Sequence, residues 1–230
     1  MTLLDDSRFP APISHTYPIN VIVRGQACLV VGGGRVAEHK VRGLQYAEAH
    51  ITVVAPWATA GLATDGTVTW RKRTYRSSDV SGHRLVVTAT GDTGIDTRVA
   101  SDARRAGVLV NSADDPQNCD FILPAVARAG DLTVSVSTAS RSPAVATWLR
   151  KRFESELDWR YRTLLDVAAD VRAEVRLVRG TSELPGWGEA LDDAFELIAA
   201  GDTDAGRSVL RHTFGLRPDP IISRHTEELR

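Results

Sequence analysis

Short apolar runs alternate with stretches of helical period over the first half of the chain. Ala27-Cys28-Leu29-Val30-Val31 is continuously apolar and runs into Gly32-Gly33-Gly34. Such a run suits a strand buried on both faces of a parallel sheet. Arg35 to Ala49 reads as a helix, with Ala37, Val41, Leu44 and Ala47 on one face. Ile51 to Val54 predicts a second strand, stopped at Ala55-Pro56, and Val68 to Arg73 a third. Leu85 to Thr90 predicts a fourth. A helix is expected after Gly94, with Ile95, Val99, Ala103 and Ala106 on one face and Gly107 as its C-terminal glycine. Val108 to Val110 is the fifth strand, stopped at Asn111. Strands alternating with helices predict βαβ units and a parallel sheet, an α/β fold.

The rhythm then changes. Ala125–Ala129 and Leu132–Ser137 flank Gly130-Asp131, which predicts a hairpin rather than a crossover. Ser142-Pro143 reads as a helix start, with serine at the cap and proline at the first helical position. From there Leu149, Phe153, Leu157, Tyr161, Leu164, Ala168, Val171 and Val175 step by three or four, which predicts one long helix or two. Gly180 to Gly188 breaks the pattern. Further helices are expected over 189–200 and 205–214, and residues 218–230 are expected to be loose.

Charge narrows the partners. The formal net charge is -1, and no basic excess points to nucleic acid or a membrane surface. No apolar run approaches the roughly 18 residues of a spanning helix. The first residues are acidic and broken by prolines, unlike an export signal. With Cys28 and Cys119 as the only cysteines, a cytoplasmic location with both thiols reduced is expected.

Gly32-Gly33-Gly34-Arg35-Val36-Ala37 matches GxGxxG/A, with alanine in the third place. Gly32 allows the tight turn. Gly34 leaves room for a pyrophosphate, and Ala37 lets the helix pack close to the strand. The helix N-terminus supplies amides to the phosphate. The turn follows a strand, opens a helix and has the next strand about 20 residues on, the context that a dinucleotide site requires. The second strand lacks the usual ribose carboxylate, since it ends Val54-Ala55-Pro56-Trp57. Backbone and stacking contacts from Pro56 and Trp57 could substitute, or Trp57 is a surface aromatic beside a proline. Thr90, closing the fourth strand, is counted with Ala55 among the cofactor contacts.

A second constellation, Asn111-Ser112-Ala113-Asp114-Asp115-Pro116, follows the fifth strand. In open parallel sheets ligands lie outside the carboxyl ends of the strands, so a carboxylate here faces the cofactor side. A plain turn rich in Asn, Asp and Pro is the alternative. Ser137-Thr138-Ala139-Ser140-Arg141 leads into the Pro143 helix and could hold carboxylates or phosphate, or simply cap it. The run Arg150-Lys151-Arg152 reads as a solvated face. The sequence has no GxSxG or HExxH, and no histidines at metal-ligand spacing, so no metal site is expected.

The glycine turn, Val53-Val54-Ala55-Pro56, Asn111 with Asp114 and Pro116, Phe121-Ile122-Leu123-Pro124-Ala125, and Ser137-Thr138 before Ser142-Pro143 occur in that order. This set resembles the precorrin-2 dehydrogenase and sirohydrochlorin ferrochelatase family, the N-terminal part of siroheme synthases, over about residues 18–160. The resemblance implies a Rossmann-type domain over 1–114, a small hairpin-containing dimerisation segment over 115–145 and a helical domain over 146–230. It implies oxidation of precorrin-2, a tetrapyrrole, with NAD, and in many members insertion of ferrous iron. Asp114 matches the family's functional aspartate. Gly32, Gly33, Gly34, Arg35, Val36, Pro56 and Trp57 match its cofactor contacts. Asn111, Ser137, Thr138 and Arg141 are the expected substrate partners. Ala139 and Ser140 stand where the family usually has glycines, which implies a stiffer loop. Two other readings compete: a Rossmann oxidoreductase for another small substrate, and a non-catalytic module that senses NAD(H).

Overall fold

In the computed structural model, residues 16–113 and 115–217 are described. The expected loose end at 218–230 and the candidate base Asp114 lie outside them. By contacts the chain forms two units. One runs to Leu123 and takes in Ala139–Arg141; the other comprises Pro124–Thr138 and the chain from Ser142 onward.

In the first unit five parallel strands pair in the order β3-β2-β1-β4-β5. They are β1 (Ala27–Val31), β2 (His50–Ala55), β3 (Val68–Lys72), β4 (Leu85–Thr88) and β5 (Leu109–Ser112). β1 is central, with β2 on one side and β4 on the other. Residues Cys28 to Val31 are all buried, which is why that strand shows no alternation. Leu29, Val31, Val86 and Val110 pack on Val99, Ala100 and Ala103 of α3 (Thr93–Arg105). On the opposite face Val30, Val53 and Val87 pack on Ala37 and Val41 of α1 (Arg35–Tyr46) and Leu62 of α2 (Ala60–Ala63). After β3 the chain returns to the far side of β1. The strand order therefore reverses between β1 and β4, the place where open α/β sheets bind ligands.

The face expected of α3 is displaced. Val99 and Ala103 are buried, but Ile95 and Ala106 are exposed, and Asp96 and Asp102 lie inside instead. The core stripe is Asp96, Val99, Ala100 and Ala103, so a polar residue holds one of its positions. β5 is an edge strand, and the segment after it covers that edge. Asp120 N–H donates to the Val110 carbonyl (2.8 Å), and Val110 N–H donates to the Asp120 carboxylate (3.2 Å).

The second unit holds the predicted hairpin, β6 (Ala125–Ala129) and β7 (Leu132–Val136), paired antiparallel with Ala129 opposite Leu132. Gly130 in its turn takes φ +60°, a conformation that favours glycine. The long helical pattern is two helices, α4 (Pro143–Glu156) and α5 (Trp159–Arg179). The apolar spacing runs on through Leu157 and Tyr161, so periodicity alone hides the break. It is marked by Asp158, whose carboxylate accepts from Arg160 N–H (2.9 Å) as an N-cap. Ser142 caps α4 as expected, accepting from Val145 N–H (3.3 Å). α4 and α5 pack on the hairpin. α5, α6 (Trp187–Ala199) and α7 (Thr203–Thr213) share a core of Val167, Val171, Val175, Ala194, Leu210 and Phe214. Gly206 permits close packing there, since a Cβ would lie 3.0 Å from the Ala194 carbonyl oxygen.

Ala139 and Ser140, between β7 and α4, take φ +50° and +62°. These are the two positions where the family resemblance predicts glycine. L-residues there cost roughly 1 kcal/mol each relative to glycine.

Candidate cofactor and substrate site

The carboxyl ends of β1, β2, β4 and β5 form one edge of the first unit, and four loops leave it. The loop after β1 is the glycine turn, and its three glycines stand in different surroundings. Gly32 takes φ +125°, and a Cβ there would lie 2.3 Å from the Ala89 carbonyl oxygen after β4. Gly33 has an ordinary φ, but its Cβ would lie 1.9 Å from the Trp57 carbonyl oxygen after β2. Both glycines are therefore demanded by neighbouring backbone. Gly34 is not: its φ is -80°, and the first atom that a Cβ would meet is Cη2 of Trp57 at 3.7 Å, an ordinary contact. The protein leaves open space there. Gly34 is also the N-cap of α1 and supplies no side-chain cap, so the first amides of that helix lack the usual partner. Open space at Gly34 and uncapped helix amides fit a pyrophosphate. Ala37 is fully buried, as close packing of α1 on the sheet requires. Arg35 and Val36 begin α1 and are exposed.

After β2, Ala55 is buried and Pro56 and Trp57 are exposed; Trp57 retains 62% of its surface. The Trp57 ring lies beside Gly34, its Cη2 being the atom that a Cβ there would meet. After β4, Thr90 is half-buried. Its hydroxyl donates to Asp96 Oδ1 (2.8 Å) and accepts from Asp92 N–H (3.0 Å). Thr88 also donates its hydroxyl to Asp96 Oδ1, and Thr90 N–H reaches the same oxygen at 3.3 Å. Asp96, 5% exposed, thus ties down the loop at the switch point. Sequence reasoning missed it. The apolar face expected of α3 runs through Ile95, so position 96 reads as surface.

After β5, Asn111 is 6% exposed rather than presented on the surface. Its Nδ2 donates to the Phe121 carbonyl (2.9 Å), which turns Oδ1 the other way, and Oδ1 has no partner among the described residues. The Ser112 hydroxyl is likewise buried without a partner. Two unmatched polar atoms at one strand end are uncommon in a folded interior and suit a ligand site. Cys119 shapes this turn: its thiol donates to the Ser112 carbonyl (3.2 Å), and its sulfur accepts from Ser112 N–H (3.2 Å). Burial raises its pKa, so it is a structural thiol rather than a nucleophile. Asp115 plays the turn-forming part: it caps the short 3-10 turn Pro116–Asn118, accepting from Gln117 N–H (3.0 Å).

Ser137 and Thr138 belong to the second unit. The Thr138 hydroxyl donates to the Ser142 carbonyl (3.1 Å) and accepts from Ser142 N–H (3.3 Å), so it braces the start of α4. Ser137 is exposed, and so is Arg141, which groups with the first unit. Arg150 and Arg152 pair with Glu154 and Glu156 along α4; the Arg152 side chain is solvated as expected, while that of Arg150 is largely covered.

A family described as "Putative NAD(P)-binding" matches residues 19–125, the stretch that contains the whole parallel sheet. The siroheme synthase of Methylococcus capsulatus is 41% identical over 162 residues, covering 69% of this chain and 34% of that protein. The chain resembles the siroheme synthases. The siroheme synthase of Nitrosomonas eutropha is 34% identical over 204 residues, covering 86% of this chain and 43% of that protein. The chain thus spans between a third and a half of the curated relatives it matches. A solved structure described as "SirC, precorrin-2 dehydrogenase" superposes with a TM-score of 0.61 at 21% identity, covering 87% of this chain and 99% of that one. It shares the fold: a Rossmann-like sheet followed by a hairpin and helices. Among the described residues no helix is long and apolar enough to cross a membrane.

Proposed function

We propose that this chain oxidises precorrin-2 to sirohydrochlorin with NAD. The observation that carries the proposal is Gly34, a glycine that nothing within the protein requires, at an uncapped helix N-terminus in a chain that resembles the siroheme synthases. NAD, when bound, accepts the hydride that leaves the reduced macrocycle. The chain's own residues do the rest. The amides that open α1 hold the pyrophosphate, and Pro56 and Trp57 wall the adenosine. Thr90, braced by Asp96, fixes the loop at the switch point. Asn111 offers Oδ1 as an acceptor in a fixed orientation. Asp114 takes the proton that leaves as conjugation extends, since a carboxylate at a strand end is a competent base. Ser137, Thr138 and Arg141 are proposed to meet the carboxylate rim of the tetrapyrrole.

Ferrous-iron insertion into the product is the second activity we propose, and likeness to the siroheme synthases supports it. Asp114 would then also assist loss of the pyrrole protons. Anaerobic incubation with precorrin-2 and NAD, followed by absorbance with and without ferrous iron, separates the two steps. Formation of sirohydrochlorin only in the presence of NAD supports the dehydrogenase. NADH that binds but is never turned over would instead support a sensing module.

We further propose a homodimer built on the segment 115–145. Among the described residues the β6–β7 sheet has only two strands, and the edges of so small a sheet invite pairing. Light scattering at micromolar concentration is expected to give twice the 25.0 kDa chain mass, and a monomeric mass contradicts the dimer. The cytoplasm is the proposed location. Cys28, buried, and Cys119, half-buried, are both unpaired, which suits a reducing compartment.

A further inference from the structure

Trp57 can wall the adenosine site only if the loop after β2 holds it beside Gly34, and that loop is fastened at named points. Thr59 N–H donates to the Gly33 carbonyl (2.9 Å), which ties the loop to the glycine turn. The Thr59 hydroxyl donates to Glu38 Oε2 (2.8 Å) and accepts from Leu62 N–H (3.4 Å) as the N-cap of α2. Glu38 stands in the first turn of α1, one residue past the glycine motif, and its other oxygen accepts from Arg42 (2.7 Å). The loop also fits tightly against this carboxylate, because a Cβ at Gly61 would lie 2.5 Å from Glu38 Oε1. Glu38 is therefore a bracket between α1 and the Trp57 loop. Its contact with the glycine turn is through backbone, Glu38 N–H donating to the Gly34 carbonyl (2.9 Å), while its side chain is engaged by Thr59 and Arg42.

We infer that Glu38 is a positioning residue for the adenosine half of the cofactor, acting through Thr59 to hold Trp57 at the edge of the phosphate site. The Thr59 hydroxyl and the Arg42 guanidinium both stabilise its ionised form, and its pKa is lowered accordingly. The inference rests on the cofactor reading above and names the residue that sets affinity without being a contact.

A double-mutant cycle tests it, with NADH and ADP-ribose as probes titrated into Glu38→Ala, Trp57→Ala and the double variant. Glu38→Ala is expected to weaken both probes about ten-fold, the equivalent of about 1.4 kcal/mol. In the Trp57→Ala background the same change is expected to add less than about two-fold, because the group that Glu38 positions is gone. Glu38→Gln keeps an acceptor for Thr59 and is expected to rescue most of the loss. Thr59→Val breaks the same link from the other side and is expected to reproduce it, which covers the case of a poorly folded Glu38 variant. Equal affinity in Glu38→Ala and the unmodified chain overturns the inference. So do losses that simply add in the double variant, since these would mean that Glu38 acts independently of Trp57. If the unmodified chain binds neither probe, it is the cofactor site that fails, not the bracket.

Discussion

Gly34→Val is expected to reduce NADH affinity by roughly 100-fold or more, about 2.7 kcal/mol, while the chain stays folded. The contrast with its neighbours makes the case. At Gly32 and Gly33 a Cβ would collide with backbone at 2.3 and 1.9 Å, so Gly32→Ala and Gly33→Ala are expected to disturb the sheet itself. At Gly34 the backbone is in a region open to any residue, and the first neighbour is an indole edge at 3.7 Å. A side chain there would enter the space that we propose for the pyrophosphate. The stability cost is that of a poorer N-cap, on the order of 1 kcal/mol. Fluorescence titration with NADH, beside a thermal melt, reads both quantities. Unchanged affinity in a folded Gly34→Val chain would remove the site from this turn.

Asp114→Asn is expected to slow the oxidation of precorrin-2 by roughly 100- to 10,000-fold, the usual cost of removing a general base. Size and hydrogen-bonding capacity are retained, and NAD affinity should barely change. Asp115 is the internal control. Its carboxylate caps the turn Pro116–Asn118, and asparagine caps as well as aspartate does, so Asp115→Asn should be nearly silent. If both variants turn over at the rate of the unmodified chain, the proton leaves to water or to the substrate's own carboxylates. If Asp114→Asn loses only iron insertion, the carboxylate belongs to that second step.

All seven strands and the long helices were legible in the sequence because burial there is periodic or continuous. β1 shows it as an unbroken apolar run, and α5 shows it at Val167, Val171 and Val175. The glycine turn was legible because backbone contacts leave no choice at Gly32 and Gly33. Four features were not. The break between α4 and α5 falls where apolar spacing happens to continue, and only the capping by Asp158 reveals it. Asp96 and Glu38 were invisible because each acts on a residue far along the chain or across a loop: Asp96 on Thr88 and Thr90, Glu38 on Thr59. Periodicity counts such residues as surface. Asn111 was visible as a candidate, but its burial was not, because Phe121 and Cys119 close over it from the segment that covers the β5 edge.

On the proposed reading, a dinucleotide held at Gly34 oxidises a tetrapyrrole. The most direct test of that reading is the stoichiometry of one anaerobic incubation of the chain with precorrin-2 and NAD, with no metal added. The account predicts NADH and sirohydrochlorin appearing together, one for one, and neither appearing with the Gly34→Val chain. Sirohydrochlorin formed without NADH, or NADH formed without any change in the tetrapyrrole spectrum, would contradict it.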